Sequence, residues 1–311
     1  MSILVVGSVA FDGIESPAGK RDRILGGAAT HFSLAASFFS KVRVIAVVGD
    51  DFTEQEQAVF ARRGIDTEGI EHVPGKSFFW RGSYLRDLNS ADTLTTELNV
   101  FETFSPKIPA SYADSEFVFL ANIDPILQQR VRAQMTHASM VGGDTMNYWI
   151  ADHRANLLQV LKGLDTLLIN DGEVRLLAGE NNLRLAAKQV LSMGPKSVIV
   201  KHGEHGATAF FGSESFADGT ATETVAFRAP TLPLDEVVDP TGAGDSFAGG
   251  FFGSLAEAGK VTPTSWKRAM FYGAAMGSFA CERFGTERVQ ELTRQEIDTR
   301  FEELRALSHL D

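Results

Sequence analysis

The sequence predicts an α/β fold: a mostly parallel central sheet with helices on both faces and a small β lid. Three observations carry this. Short apolar runs alternate with amphipathic helical stretches along most of the 311 residues, the pattern of βαβ units. Those runs are apolar throughout, as strands buried on both faces are. One segment, at about 74–106, breaks the rhythm with two runs rich in β-branched and aromatic residues. The reading is a single unit over 1–311 with the lid inserted there, and 13–25 as a second candidate contributor to it.

The elements follow in order. "ILVVGSVAF" reads as a buried strand ending in a glycine-bearing turn, and "AATHFSLAASFF" as a helix introduced by Gly26 and Gly27. "VRVIAVVGDD" is a strand and "EQEQAVFARRG" a helix closed by Gly64. "SFFWRGSYL" and "TLTTELNVFETF" read as two strands joined by the turn-like "RDLNSAD". They form either a lid over a cleft or an edge hairpin of the main sheet. "FVFLANIDP", "SMVGGDTMN", "TLLIND" and "SVIVKHG" are strands, and "ILQQRVRAQM", "RANLLQVLKGL" and "LRLAAKQVLSMG" the helices between them.

Composition bounds the function. A formal net charge of −11 argues against a nucleic-acid or membrane-surface partner, both of which are anionic. Cys281 is the only cysteine, so no internal disulfide forms and a cytoplasmic setting is expected. No run approaches the ~18 apolar residues of a membrane span.

Ligands of open parallel sheets bind beyond the carboxyl ends of the strands. Those ends carry Asp12, Gly49-Asp50-Asp51, Asn122, Asp144 and Asn147, Asn170 and Glu173, and Lys201-His202-Gly203. Most are acidic or amide groups, spaced for one long cleft.

The most informative stretch is "DPTGAGDSFAGGFFG", Asp239 to Gly253. A helix N-terminus exposes unpaired N–H groups and the positive end of the dipole. Gly242-Ala243-Gly244 has almost no side chain, so an anion can approach this backbone closely. Asp245 beside an anion site is a poor phosphate ligand but a good base for an attacking hydroxyl. The alternative is that Asp245 only caps the helix. Gly249 and Gly250 weaken the helix by roughly 1 kcal/mol each relative to Ala, which close packing would explain.

"DPTGAGDSFAGGFF" resembles the second signature of the ribokinase family, the PfkB-type carbohydrate kinases. The paired Gly26-Gly27, the N-x-x-E motif of Asn170 and Glu173, the glycines of "VKHGEHGA" (Gly203 and Gly206) and the small-residue helix "YGAAMGSFACERFG" are similar to the family's remaining motifs, in its order. The resemblance implies a ribokinase-like fold and an ATP-dependent transfer of phosphate to a hydroxyl of a sugar, with a nucleoside as the alternative acceptor. It casts Asp245 as general base and Gly242, Ala243 and Gly244 as the anion hole. Asp12, Gly26 and Gly27 fall on the acceptor side, with His31, Trp80, Asn122, Asp144 and Asn147 as further candidates. Asn170, Glu173, Lys201, Gly203, Gly206, Ala274 and Ser278 fall on the nucleotide side. Asn170 and Glu173 would position Mg²⁺ through water, and Asp239 and Thr241 lie where members of the family bind K⁺. The resemblance leaves open a catalytically idle sugar or nucleotide binder. A sheet edge in the lid would need cover, so a homodimer through the lids is expected.

This chain departs from the family at His31, where asparagine is usual. Phe78, Phe79 and Trp80 give the lid a surface on which an aromatic aglycone could stack, or rings that pack lid to body or lid to lid. "PGKSF" lacks the first glycine of a Walker loop, and Val9 blocks a dinucleotide fingerprint in "VVGSVAFDG". His202 and His205, with Glu204 beside them, fall in a turn after a strand with no further metal ligand evident, and Cys281 reads as a packed thiol.

Overall fold

The structure is a computed structural model that describes residues 1–212 and 226–308. In chain order its strands and helices are β1 (Ser2–Val6), β2 (Ala10–Ser16), β3 (Gly19–Gly26), α1 (Ala28–Ala36), β4 (Lys41–Val48), α2 (Glu54–Arg62) and β5 (Ile70–His72). Then come β6 (Phe79–Ser83), β7 (Asp92–Glu97), β8 (Phe117–Leu120), α3 (Pro125–Gln134), β9 (Met140–Gly143), α4 (Asn147–Asp152) and α5 (Arg154–Leu161). The rest are β10 (Thr166–Asn170), α6 (Asp171–Ala178), α7 (Leu183–Ser192), β11 (Ser197–Lys201), β12 (Ala207–Phe211), β13 (Ala226–Ala229), α8 (Ala243–Ala258), α9 (Pro263–Ala280), α10 (Glu287–Glu291) and α11 (Arg294–Ala306).

Nine strands form one sheet in the order β13-β12-β11-β10-β9-β8-β1-β4-β5. From β11 to β5 the neighbours are parallel; β12 and β13 are antiparallel additions at one edge. Side chains of a strand alternate between its faces, and β1 shows this. Ile3 and Val5 pack into a core with residues of α1, α8 and α9. Leu4 and Val6 enter the opposite core with residues of α3, α5, α6 and α7. Both faces are thus covered, which is why the runs are uniformly apolar. Under α1 and α8, Phe32 stacks on Phe119 at 4.5 Å between centroids, with Phe252 tilted against Phe119 at 5.2 Å.

Gly249 and Gly250 are explained by close helix packing. A Cβ at Gly249 would fall on the Phe32 carbonyl of α1, and one at Gly250 would stand 2.7 Å from the Tyr272 carbonyl of α9. Their helix-weakening is offset by letting α8 sink between its two neighbours.

A second sheet of four strands, in the order β3-β2-β6-β7, stands apart from the first. It draws on residues 10–26 as well as 79–97, with β2 and β6 parallel and the two hairpins antiparallel. The run "ILVVGSVAF" is therefore two strands in two sheets, divided at Gly7. A Cβ at Gly7 would stand 2.8 Å from that of Ala121, so the chain turns where only glycine fits. The second half of "TLTTELNVFETF" is also not strand: Asn99–Thr103 form a 3₁₀ turn that carries Phe101 under Phe78, 5.6 Å between centroids.

Candidate active site

Successive strands run outward in opposite directions from the β1–β8 boundary, so a crevice opens between their carboxyl ends. Asn122 and Asp144 follow β8 and β9, Asn170 ends β10, and Lys201 ends β11. The four-stranded sheet brings Asp12 to the same end.

The turn before α8 organises the floor. Gly242 adopts φ 73°, and α8 starts at Ala243, whose N–H donates to the Pro240 carbonyl at 3.2 Å. Asp245 lies in the first helical turn, and Gly242 holds the cap position without a side-chain bond. Capping by Asp245, the alternative reading of the sequence, is thus excluded by position. A Cβ at Gly244 would lie 2.9 Å from Lys201 Nζ, and one at Gly242 would fall on the His31 ring. The ammonium and the imidazole therefore flank this turn, and residues without side chains let them approach.

Three acidic groups surround Lys201. Its Nζ lies 3.2 Å from Asp144 Oδ2. Burial works to lower the Lys201 ammonium, but Asp144, Glu173 and Asp245 hold it above its usual value. Burial pushes Asp245 up to about 7, helped by the Asp144 charge and opposed by Lys201. Glu173 rises to about 7 for the same reasons, burial first and Asp144 second. Asp12, also raised to about 7 by burial and by the Asp239 charge, accepts the Gly27 N–H. A Cβ at Gly26 would fall on its carboxylate, so Asp12, Gly26 and Gly27 form one unit. His31 is 2% exposed, and neither ring nitrogen has a hydrogen-bond partner among the described residues. Burial lowers it to about 4, so the ring is neutral at pH 7.

Other expected residues hold more local roles. Asn170 and Glu173 form a reciprocal capping box for α6: Asn170 Oδ1 accepts the Glu173 N–H at 2.8 Å, and Glu173 Oε2 accepts the Asn170 N–H at 3.0 Å. Asp239 is fully buried and accepts the N–H groups of Thr241 at 2.8 Å and Gly285 at 2.7 Å. Gly203 and Gly206 shape the β11–β12 turn with φ 54° and 85°. Ala274 is buried in α9, and Asn147 is the exposed first residue of α4. Ser278, expected on the nucleotide, is instead engaged by Arg300 of α11 at 3.0 Å; the chain neighbour that meets α8 is Gly277, whose Cβ would lie 3.2 Å from the Ala243 carbonyl. Trp80 packs beside Ile14, Tyr84 and Phe284 and donates to Thr93 Oγ1 at 3.3 Å. Its partly buried ring thus joins a cluster shared by lid and body, and Phe78 lies against Phe101.

Sequence reasoning missed four residues here. Tyr84 receives the Thr241 hydroxyl at 3.1 Å, tying the four-stranded sheet to the turn before α8. Asn89, in the β6–β7 hairpin, reaches Gly203, where a Cβ would fall on its Oδ1. Trp149 donates to Asn122 Oδ1 at 2.9 Å and meets the ring of half-exposed Tyr148 at 4.8 Å. The signal for the last pair was "NYW" shortly after the strand-end Asp144; nothing local marked the other two.

Comparison with known proteins bears on the family and the fold. The family model described as pfkB family carbohydrate kinase matches residues 3–292. The chain is 26% identical over 302 residues to a cytidine kinase of Thermococcus kodakarensis, spanning 95% of this chain and 97% of that protein. Its fold is similar to ribokinase from Thermotoga maritima, with TM-score 0.74 and 19% identity over 97% of this chain and 99% of that one. It is equally similar to aminoimidazole riboside kinase from Salmonella enterica complexed with aminoimidazole riboside and an ATP analog, with TM-score 0.74 and 19% identity over 97% and 100%. No helix among the described residues is long and apolar enough to cross a membrane.

Proposed function

The chain belongs to the pfkB family of carbohydrate kinases, and on that premise we propose that it transfers the γ-phosphoryl group of ATP to a hydroxyl of a sugar or nucleoside. The observation that carries this is the placement of Asp245 in the first turn of α8, beside Lys201 and the Gly242–Gly244 backbone. The N–H groups of that turn stabilise charge on the transferring phosphoryl group. Lys201 adds a positive charge at the same place. Asp245 accepts the proton of the attacking hydroxyl, and its value near 7 suits a base at neutral pH. Asp12, fixed by Gly27, orients the acceptor by accepting from its hydroxyls.

Mg²⁺ fits this site on the nucleotide side. Among the described residues no three His, Cys, Asp or Glu converge as a dedicated cage would. Mg²⁺ typically takes one or two carboxylates and completes its shell with water and substrate phosphates. Glu173, with Asp144 close enough to raise it, supplies such carboxylates. The ion would neutralise phosphate charge as it transfers.

One observation favours a nucleoside acceptor. Tyr148, Trp149 and His153 form a cluster of rings 4.8 to 5.2 Å apart, and Asn122 anchors Trp149 at the crevice. Tyr148 is 49% exposed, offering an aromatic face that a bare sugar does not need. The full-length likeness to a cytidine kinase supports the same reading. The test is ADP release from Mg·ATP across pentoses, hexoses, their phosphates and nucleosides. Turnover with a nucleoside alone supports this acceptor, turnover with a sugar alone overturns it, and tight ligand binding without turnover would leave a binder in place of a kinase.

A further inference from the structure

The four-stranded sheet touches the body at points that differ in kind. Arg23 of β3 pairs with Asp51 at 2.9 Å, at the end of the cleft bordered by β4. Ser16 donates to the Val238 carbonyl at 2.6 Å, and Tyr84 receives Thr241, both beside the turn before α8. A further point lies farther across the main sheet. The tip of the β6–β7 hairpin reaches the turn after β11, where Asn89 Oδ1 rests on Gly203, in the turn assigned above to the nucleotide.

This tip is built rather than slack. Asn89 N–H donates to Asp87 Oδ1 at 2.9 Å, Ser90 N–H donates to the Asp87 carbonyl at 3.3 Å, and Arg86 pairs with Asp92 at 3.0 Å. The charged groups of the tip are thus committed to one another. The Asn89 side chain makes no hydrogen bond among the described residues, so its amide NH₂ keeps both donors. An amide donor beside a glycine-bearing turn is suited to a phosphate oxygen. The carboxylates Asp144, Glu173 and Asp245 nearby are not.

We propose that Asn89 is a positioning residue of the nucleotide site, through which bound nucleotide holds the acceptor lid down. Gly203 must lack a side chain to receive it, which gives the strand-end glycine a lid contact as well as a nucleotide one. Coupling of this kind is reciprocal: whatever the nucleotide does for lid closure, lid closure does for nucleotide affinity. The inference rests on the assignment of the β11–β12 turn to the nucleotide.

The test is hydrogen exchange of the whole chain with and without a saturating non-hydrolysable Mg·ATP analogue, in the wild type and Asn89→Ala. Asn89 is exposed, so truncation spares the cores. In the wild type the analogue is expected to slow exchange at residues 84–97 by about fivefold, the effect of one additional hydrogen bond. In Asn89→Ala that slowing disappears, while residues 202–206 remain protected and calorimetry still records binding. Equal slowing in the variant, or binding to the wild type with no slowing of the hairpin, overturns the proposal and leaves the kinase reading intact. No binding of the analogue in calorimetry overturns both.

Discussion

Replacing Asp245 with Asn removes one charge from the cleft and should uncouple activity from stability. Burial and the neighbouring Asp144 raise this carboxyl from its ordinary 3.8 to about 7, against the pull of Lys201. As a base it must be ionised, so about one-eleventh of the enzyme is active at pH 6 and about ten-elevenths at pH 8. Wild-type kcat/KM should therefore rise about tenfold across that window. In Asp245→Asn turnover should fall by ~10²–10⁴, the usual worth of a general base. Stability should move the other way. Because the folded-state value lies above the unfolded one, the folded chain holds this proton more tightly, and ionising the group costs stability as pH rises from about 4 through 7. The full difference corresponds to about 4 kcal/mol; partial access of cleft water leaves on the order of 1–2 kcal/mol. The variant should accordingly melt higher than wild type at pH 8 and equally at pH 4. Turnover is measured by ADP release with the acceptor found in the substrate screen, and melting by calorimetry. Near wild-type turnover, or a variant less stable than wild type at pH 8, would refute the reasoning.

Glu173→Gln should preserve the α6 capping box, since Gln serves there as well as Glu, yet raise the half-saturating Mg²⁺ concentration by about tenfold or more. With Glu173 near 7, the wild type should need less Mg²⁺ at pH 8 than at pH 6; an unchanged requirement in the variant removes Glu173 from the metal's surroundings. Asp239 and Thr241 border the turn before α8, and K⁺ should activate over Na⁺; equal rates in the two salts count against a selective cation site there. Leu94 of the edge strand β7 is 54% exposed, and Leu85 and Leu98, which flank the β6–β7 hairpin strands, are 56% and 45% exposed, apolar surface suited to a second lid. Sedimentation should give a dimer that Leu94→Asp dissociates, and a wild-type monomer at micromolar concentration ends that proposal.

Much of the architecture was legible because burial on both faces writes itself into sequence. The strands β4, β8, β10 and β11 are largely apolar, and each sits inside the main sheet. The glycine turn before α8 was equally readable as a close approach, since Gly242 and Gly244 let His31 and Lys201 come so near. What stayed hidden depended on distant partners. "ILVVGSVAF" gives no local sign that Val9 and Ala10 leave the sheet, because the break is set by Ala29 and Ala121 packing around Gly7. Trp80 could be read as a stacking surface or as lid packing, and the cluster it joins includes Phe284, some two hundred residues downstream. Asn89 looked like an ordinary turn residue, and only the fold brings it to Gly203.

The four-stranded sheet also constrains how the chain can fold. Its parallel pair joins Phe11–Glu15 to Phe79–Ser83, and the intervening chain supplies α1, β4, α2 and β5, which belong to the other layer system. The two halves of this sheet cannot align until that intervening chain has condensed onto β1 and brought them together. Closing so long a loop before any contact rewards it is slow. The body should thus be the earlier cooperative unit and the lid a later one built upon it. Unfolding should run in reverse, with the β2–β6 pairing the first long-range structure lost and the β1–β4–β8 centre the last.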